Sequence, residues 1–297
     1  AGAAYCWGNG AGGYTPTLVA GGIVFQKLAA GWAFNCGLTA GGNAYCWGAF
    51  NDRGQLGDGT TIAHSSPALV QGSLTFSSLA AWENHACGVA TDGAAYCWGA
   101  NNYGKLGDGT LTDRGVPTVV LGGPTFQSLA AGTQHTCGIG SGGAAYCWGQ
   151  NGSGQAGDGT YTQRTVPTAV QGGLTFQSVT AGDSHTCALT SGGAVYCWGA
   201  NYLGQMGTGT TSASNVPVVA AAGTTLRAFS AGGNSTCGVT IAGSATCWGD
   251  NGYGQLGNGT AGYLPTPTAV LGGVTFLAPP VPAIGEPSSA RAGPAPR

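Results

Sequence analysis

Residues Ala181-Gly182-Asp183-Ser184-His185-Thr186-Cys187-Ala188-Leu189-Thr190-Ser191-Gly192-Gly193-Ala194-Val195-Tyr196-Cys197-Trp198-Gly199 hold the repeating element of the architecture. Two short runs rich in Thr, Val, Tyr and Trp flank a Ser-Gly-Gly turn, the pattern of a β-hairpin. Cys187 and Cys197 lie ten residues apart, with their midpoint in that turn. A symmetric turn sets them opposite one another on adjacent strands, where Cα atoms stand ~4.5–5.5 Å apart and a disulfide can close.

The hairpin recurs along the chain. Tyr-Cys-Trp-Gly begins at Tyr5, Tyr45, Tyr96, Tyr146 and Tyr196, and Thr246-Cys247-Trp248-Gly249 is a sixth copy; the steps are 40, 51, 50, 50 and 50 residues. Ahead of the hairpin stand Val166-Pro167-Thr168-Ala169-Val170 and Thr175-Phe176-Gln177-Ser178-Val179, separated by Gly172-Gly173. Each piece reads as a strand, and four strands per ~50 residues predict a propeller blade. The fold class is therefore all-β: a β-propeller of four-stranded antiparallel blades, whose faces are buried only by stacking on neighbours. A unit is expected to start at its Val-Pro-Thr run and end in the loop after Trp-Gly. Ala3 to Gly8 then supplies one strand of an incomplete blade and Pro267 to Leu277 two more. A six-bladed ring closed by both termini is the first expectation, and a fragment of a larger ring the second. Residues 1–278 form the propeller. Residues 279–297, rich in Pro and Ala, read as a linker or disordered tail.

Composition narrows the function classes. Only 6% of the 297 residues are charged, against ~25% in an ordinary domain. The net charge of -2 leaves no basic footprint for nucleic acid. No run of about 18 apolar residues exists to form a membrane span. The 59 glycines recur too densely for long helices. Ala1 to Tyr5 lacks the basic start and apolar run of a leader, as expected of a mature form or a fragment.

The cysteines pair by arithmetic as Cys36/Cys46, Cys87/Cys97, Cys137/Cys147, Cys187/Cys197 and Cys237/Cys247. Each bridge would stabilise its hairpin by roughly 3 kcal/mol through loop closure. Five bridges imply an oxidising compartment, hence an extracellular or cell-surface location. Cys6 is the eleventh, and its expected partner would lie upstream of Ala1. A metal site is the competing interpretation, from His-x-Cys at His85, His135 and His185. Close Cys pairs are lacking, and two units carry Phe34 and Ser235 instead of His, so disulfides are favoured. The histidines are expected to bond within their blades, and His64 to sit solvated in a loop.

Other motifs read as structural. Gly152-Ser153-Gly154-Gln155-Ala156-Gly157 matches a dinucleotide fingerprint, but no helix follows it. Asp58, Asp108 and Asp158 in Asp-Gly-Thr suit turns. Asn151, Asn234 and Asn258 open glycosylation sequons. No catalytic set emerges, so the chain is expected to be neither an enzyme nor a cofactor binder.

Three motifs carry a resemblance. Ala-Gly-x-x-His-Thr, Val-Tyr-x-Trp-Gly and Asn-x-x-Gly-Gln-Leu-Gly-x-Gly-Thr, as in Asn251 to Thr260, resemble repeats of the regulator of chromosome condensation family over about residues 3–278. The resemblance implies a ring of typically seven blades.

Positions that differ between units on exposed loops are free to specialise. Ahead of the His strand these are Trp32 and Phe34, then Trp82, Glu83 and Asn84, then Thr133 and Gln134, then Asp183 and Ser184, then Asn234. After Trp-Gly they are Phe50, Asp52, Arg53, Tyr103 and Tyr202. Together they predict one loop face with an aromatic and polar composition typical of protein interfaces. In the chromatin member, such loops contact a small GTPase whose nucleotide exchange it promotes, and Asp183 stands where acidic contacts occur. In propeller-type β-lactamase inhibitor proteins, aromatic residues on corresponding loops grip the enzyme, a style that Trp32 and Phe34 match. The expected function is a non-catalytic extracellular propeller that binds a protein partner as an inhibitor, adhesion or scaffold module. Alternatives are a glycan-binding lectin, a self-associating surface-layer subunit, and an exchange factor, the last at odds with the cysteines.

Overall fold

Cys187 and Cys197 face each other across an antiparallel hairpin and form a disulfide, with Cα atoms 4.1 Å apart. The computed structural model describes residues 2–8, 13–273 and 275–276. The same bridge joins Cys36–Cys46, Cys87–Cys97, Cys137–Cys147 and Cys237–Cys247 at Cα separations of 4.0–4.1 Å. Half-buried Cys6 has no disulfide partner.

Strands β1 (Tyr5–Gly8) and β2 (Gly13–Leu18) pair as a two-stranded sheet. Blade 1 follows as β3 (Lys27–Ala30), β4 (Phe34–Leu38), β5 (Ala44–Gly48) and β6 (His64–Leu69). Blade 2 is β7 (Phe76–Trp82), β8 (His85–Ala90), β9 (Ala95–Gly99) and β10 (Arg114–Val119). Blade 3 is β11 (Phe126–Ala131), β12 (His135–Gly140), β13 (Ala145–Gly149) and β14 (Arg164–Ala169). Blade 4 is β15 (Ser178–Ala181), β16 (His185–Leu189), β17 (Val195–Gly199) and β18 (Ser214–Ala220). Blade 5 is β19 (Leu226–Gly232), β20 (Ser235–Thr240), β21 (Ala245–Gly249) and β22 (Leu264–Ala269). Among the described residues six antiparallel sheets result, five with four strands.

The phase of the unit differs from the expected one. Each Val-Pro-Thr strand pairs with the Tyr-Cys-Trp-Gly strand before it: Tyr146 faces Ala169 and Cys147 faces Thr168. The Gly-rich loop causes the return. Asn151 is fully buried and donates to Asp158 Oδ1, Thr160 O and Thr162 O at 3.0–3.2 Å, while its own Oδ1 accepts from Ala156 N at 2.8 Å. That clamp folds the chain back along the strand it has just left and buries Asn151, the acceptor residue of its sequon. It also corrects the expected closure. β22 completes blade 5, and among the described residues no C-terminal strand joins β1 and β2. Leu277 and the tail at 279–297 lie outside the described residues.

Tryptophan locks one blade to the next. Trp98, Trp148, Trp198 and Trp248 are fully buried against the disulfides and aliphatic residues of the preceding blade. Their indole N–H groups donate at 2.9–3.0 Å to the carbonyls of Gln55, Lys105, Gln155 and Gln205. The indole lies so close that a glycine must stand opposite. Gly157 has φ +66°, and a Cβ there would meet Trp198 Nε1 at 2.7 Å.

The histidines bond between blades, not within them. His85 Nε2 lies 3.0 Å from Thr136 Oγ1, His135 Nε2 2.9 Å from Thr186 Oγ1, and His185 Nε2 2.9 Å from Thr236 Oγ1. Each threonine hydroxyl already donates, to Lys105 O, Gln155 O or Gln205 O respectively. It must therefore accept from a neutral Nε2–H imidazole, a tautomer assigned from the network. Burial holds the His135 pKa down to about 3 and that of His185 to about 4, and pushes His85 well below its ordinary value.

His64 is not solvated in a loop. It opens β6 and places Nε2 2.8 Å from Asp58 Oδ2, the role that Arg114 and Arg164 play on Asp108 and Asp158. These aspartates also accept from the backbone N–H and hydroxyl of Thr60, Thr110 and Thr160, closing the Asp-Gly-Thr turns.

Candidate functional site

The loops between the first two strands of blades 1 to 4 converge on a cavity of about 690 Å³, lined by Gly31, Trp32, Trp82, Glu83, Thr133, Gln134, Gln150, Asp183 and Ser184. Backbone bonds interlock these loops. Trp32 N donates to Glu83 O of the next blade at 3.2 Å, Thr133 N to Gly182 O at 3.4 Å, and Asp183 N to Gly233 O at 2.8 Å.

Trp82 is positioned by a local departure from the repeat. Blades 3 and 4 carry Gly132 and Gly182 at its position, where a Cβ would come within 2.4 Å of the neighbouring imidazole. In blade 2 the strand instead continues through Trp82 to pair with His85. Glu83 then takes the left-handed conformation with φ 43°, uncommon for a residue with a side chain; Gly233 is its counterpart in blade 5. The Trp82 ring extends towards blade 5, where a Cβ on Gly232 would lie 3.5 Å from it. Trp82 therefore both spans towards the far blade and walls the cavity.

Two adjacent residues of blade 3 each orient one carboxylate. Trp82 Nε1 donates to Thr133 Oγ1 at 3.1 Å, and that hydroxyl donates to Asp183 Oδ1 at 2.8 Å. Gln134 Nε2 donates to Glu83 Oε2 at 3.2 Å. Beneath them lies Lys105, with its side chain fully buried. Its ammonium donates to Thr133 O at 3.0 Å and Gln134 Oε1 at 3.1 Å, and stands 3.9 Å from Glu83. Burial pushes the Lys105 pKa down to about 8, opposed by the charge of Glu83. The Glu83 carboxyl is shifted upward by burial, with Asp183 adding to the shift and Lys105 opposing it.

The other anticipated residues fall around this centre. Trp32 is 77% exposed and stacks on exposed Phe50, with ring centroids 6.0 Å apart and planes 15° apart. Asn234 donates to Asp183 at 3.4 Å and accepts from the Tyr202 hydroxyl at 3.2 Å, extending the row towards blade 5. Ser184 lines the cavity. Asn84 and Tyr103 are half-buried, and the Asn84 carbonyl accepts from Ala100 N. Asp52 and Arg53 are exposed and outside the cavity, with Arg53 bonded to Asp113 at 3.2 Å.

Phe34 is a correction. It is 1% exposed and packs in the core between blades 1 and 2, because it occupies the inward-facing position that histidine fills in blades 2 to 4. Lys105 was not anticipated. It stands where every other complete unit has glutamine (Gln55, Gln155, Gln205, Gln255), and that single departure was its sequence signal.

The profile of the RCC1-like domain matches residues 1–278. The chain belongs to the RCC1-like domain family. No curated protein matches it in sequence. Among solved structures, human WBSCR16 superposes with a TM-score of 0.77 at 20% identity, covering 86% of this chain and 69% of that one. Yeast RCC1 (Prp20), solved bound to Kap60, gives 0.75 at 20% identity over 89% and 68%. The ectodomain of the receptor kinase CR4 from Physcomitrella patens gives 0.52 at 26% identity over 77% and 53%. The RCC1-like chain described here thus spans about two thirds of its first two neighbours, whose likeness concerns the fold. No helix of the described residues is long and apolar enough to cross a membrane.

Proposed function

We propose that this RCC1-like propeller is a non-catalytic protein-binding module that works in an extracellular, oxidising setting through the face bearing Trp32, Trp82, Glu83 and Asp183. The observation that carries the proposal is the cross-blade network. Thr133 and Gln134 hold two carboxylates beside two tryptophans on a scaffold otherwise built of near-identical blades. Preorganised aromatic and charged anchors around a recess are what protein interfaces use as hot spots. A protein partner for an RCC1-like fold has a precedent in yeast Prp20 bound to Kap60. The five bridged hairpins support the oxidising compartment, as does the likeness to the CR4 ectodomain.

The test is affinity capture from the extracellular fraction of the producing organism. Wild type is compared with a Trp32→Ala/Trp82→Gly/Asp183→Asn variant, in which the second substitution restores the glycine that blades 3 to 5 carry at that position. A partner retained by wild type and lost by the variant is the expected result. Equal capture by both would overturn the assignment of this face.

A further inference from the structure

Every described lysine and arginine is engaged away from the open part of the loop-face cavity. Lys27 donates to Ser77 O, Arg53 to Asp113, Arg114 to Asp108, Arg164 to Asp158 and Arg227 to Phe276 O. Lys105 is fully buried, does not line the cavity, and is spent on Thr133 O, Gln134 and one oxygen of Glu83. The cavity nevertheless presents two carboxylates. Asp183 forms no ion pair among the described residues, and its Oδ2 has only Asn234 at 3.4 Å. Glu83 accepts hydrogen bonds through Oε2 alone among the described residues. The walls are indoles held in place, Trp32 by stacking on Phe50 and Trp82 by its bond to Thr133.

Opposite charge with an indole face is the combination that selects an organic cation. The carboxylates supply directed acceptors, and the electron-rich ring face attracts a cation that a neutral or anionic group cannot mimic. A cavity of about 690 Å³ fits a long side chain entering end-on.

We propose that the cavity takes the cationic tip of a lysine or arginine side chain presented by the partner, between Trp32 and Trp82 and on Oε1 of Glu83 and Oδ2 of Asp183, the latter held only by the 3.4 Å bond from Asn234. The proposal rests on the protein-binding role assigned to this face, and it names the chemistry of the partner residue that anchors there. Thr133 and Gln134 are positioning residues, since each fixes one carboxylate before the guest arrives.

The test needs no partner protein. The indole N–H NMR signals of Trp32 and Trp82 are followed during titration with Nα-acetyl-lysine methylamide, Nα-acetyl-arginine methylamide, the neutral norleucine analogue and methyl glucoside. One or both cationic probes should bind at least about tenfold more tightly than norleucine, and a Glu83→Gln/Asp183→Asn variant should lose about tenfold of that affinity. Unchanged signals from buried Trp98, Trp148, Trp198 and Trp248 report that the variant is folded. Norleucine or the glucoside binding as well as the cations would overturn the proposal. So would cation binding that ignores the two substitutions. Probe failure with partner capture intact defeats this inference alone. Probe binding without partner capture defeats only the broader functional assignment.

Discussion

Replacing His135 and Thr186 together by Phe and Ala should leave the propeller near wild-type stability at pH 8 and protect it in acid. The blade 1–blade 2 junction already uses this pair, since Phe34 and Ala86 occupy the positions of His135 and Thr186 in one buried cluster. Gln155 O loses the Thr186 hydroxyl in the variant but keeps the Trp198 indole at 2.9 Å. The pH effect follows from linkage. An unfolded histidine takes up a proton below about 6.5, whereas His135 in the native state does so only near about 3. The folded-state pKa of a base is depressed, so stability is lost as pH falls from about 6.5 towards 3. At pH 5 one such histidine costs roughly 2 kcal/mol relative to pH 8, and His135 and His185 together roughly 4 kcal/mol, with buried His85 adding in the same direction. That is a large part of the ~5–15 kcal/mol that stabilises a typical domain. The variant removes one of the three terms. Urea unfolding at the two pH values should show a midpoint advantage of about 1 M for the variant at pH 5, for a slope near 2 kcal/mol/M, and little at pH 8. A gap between the two proteins that is the same at both pH values would refute the reasoning.

Lys105→Gln restores the residue of the other blades and should stabilise the protein near pH 7 by up to roughly 3 kcal/mol. The native state resists protonating Lys105 above about 8, whereas the unfolded chain binds that proton up to about 10.5. The penalty is thus fully present below pH 8 and relieved between 8 and 10.5, so the stability gap should close across that window in urea titrations made on a Cys6→Ser background. Gly157→Ala should destabilise by roughly 2–4 kcal/mol, combining a left-handed φ with a Cβ driven against Trp198; an unchanged urea midpoint would contradict the packing described. Removing one bridge as Cys137→Ala/Cys147→Ala should cost roughly 3 kcal/mol. Non-reducing peptide mapping of wild type should find five bridges ten residues apart and alkylate Cys6 alone.

The hairpins were legible because they are local. Cys137 and Cys147 meet across a turn of a few residues, and alternation along each strand sets Tyr146 and Trp148 on the opposite face to Cys147. Repetition then amplified that signal into a propeller. The loop face was legible for a related reason, since near-identical units expose whatever differs. Lys105 shows how far that comparison reaches: its replacement of glutamine was visible, but its burial under Gln134 and Glu83 was not.

The blade hairpin, its disulfide, the period and the face on which the units disagree all follow from local sequence pattern. The phase of the outer strand, the burial of Phe34, the His–Thr bonds and the grouping of Trp82, Thr133 and Asp183 come instead from packing between strands and blades. These four depend on partners beyond the hairpin. A Val-Pro-Thr run has a possible partner strand on either side, and its choice is made by the buried clamp at Asn151. The inter-blade contacts join residues about fifty apart, and only stacking of complete blades brings them within hydrogen-bonding reach.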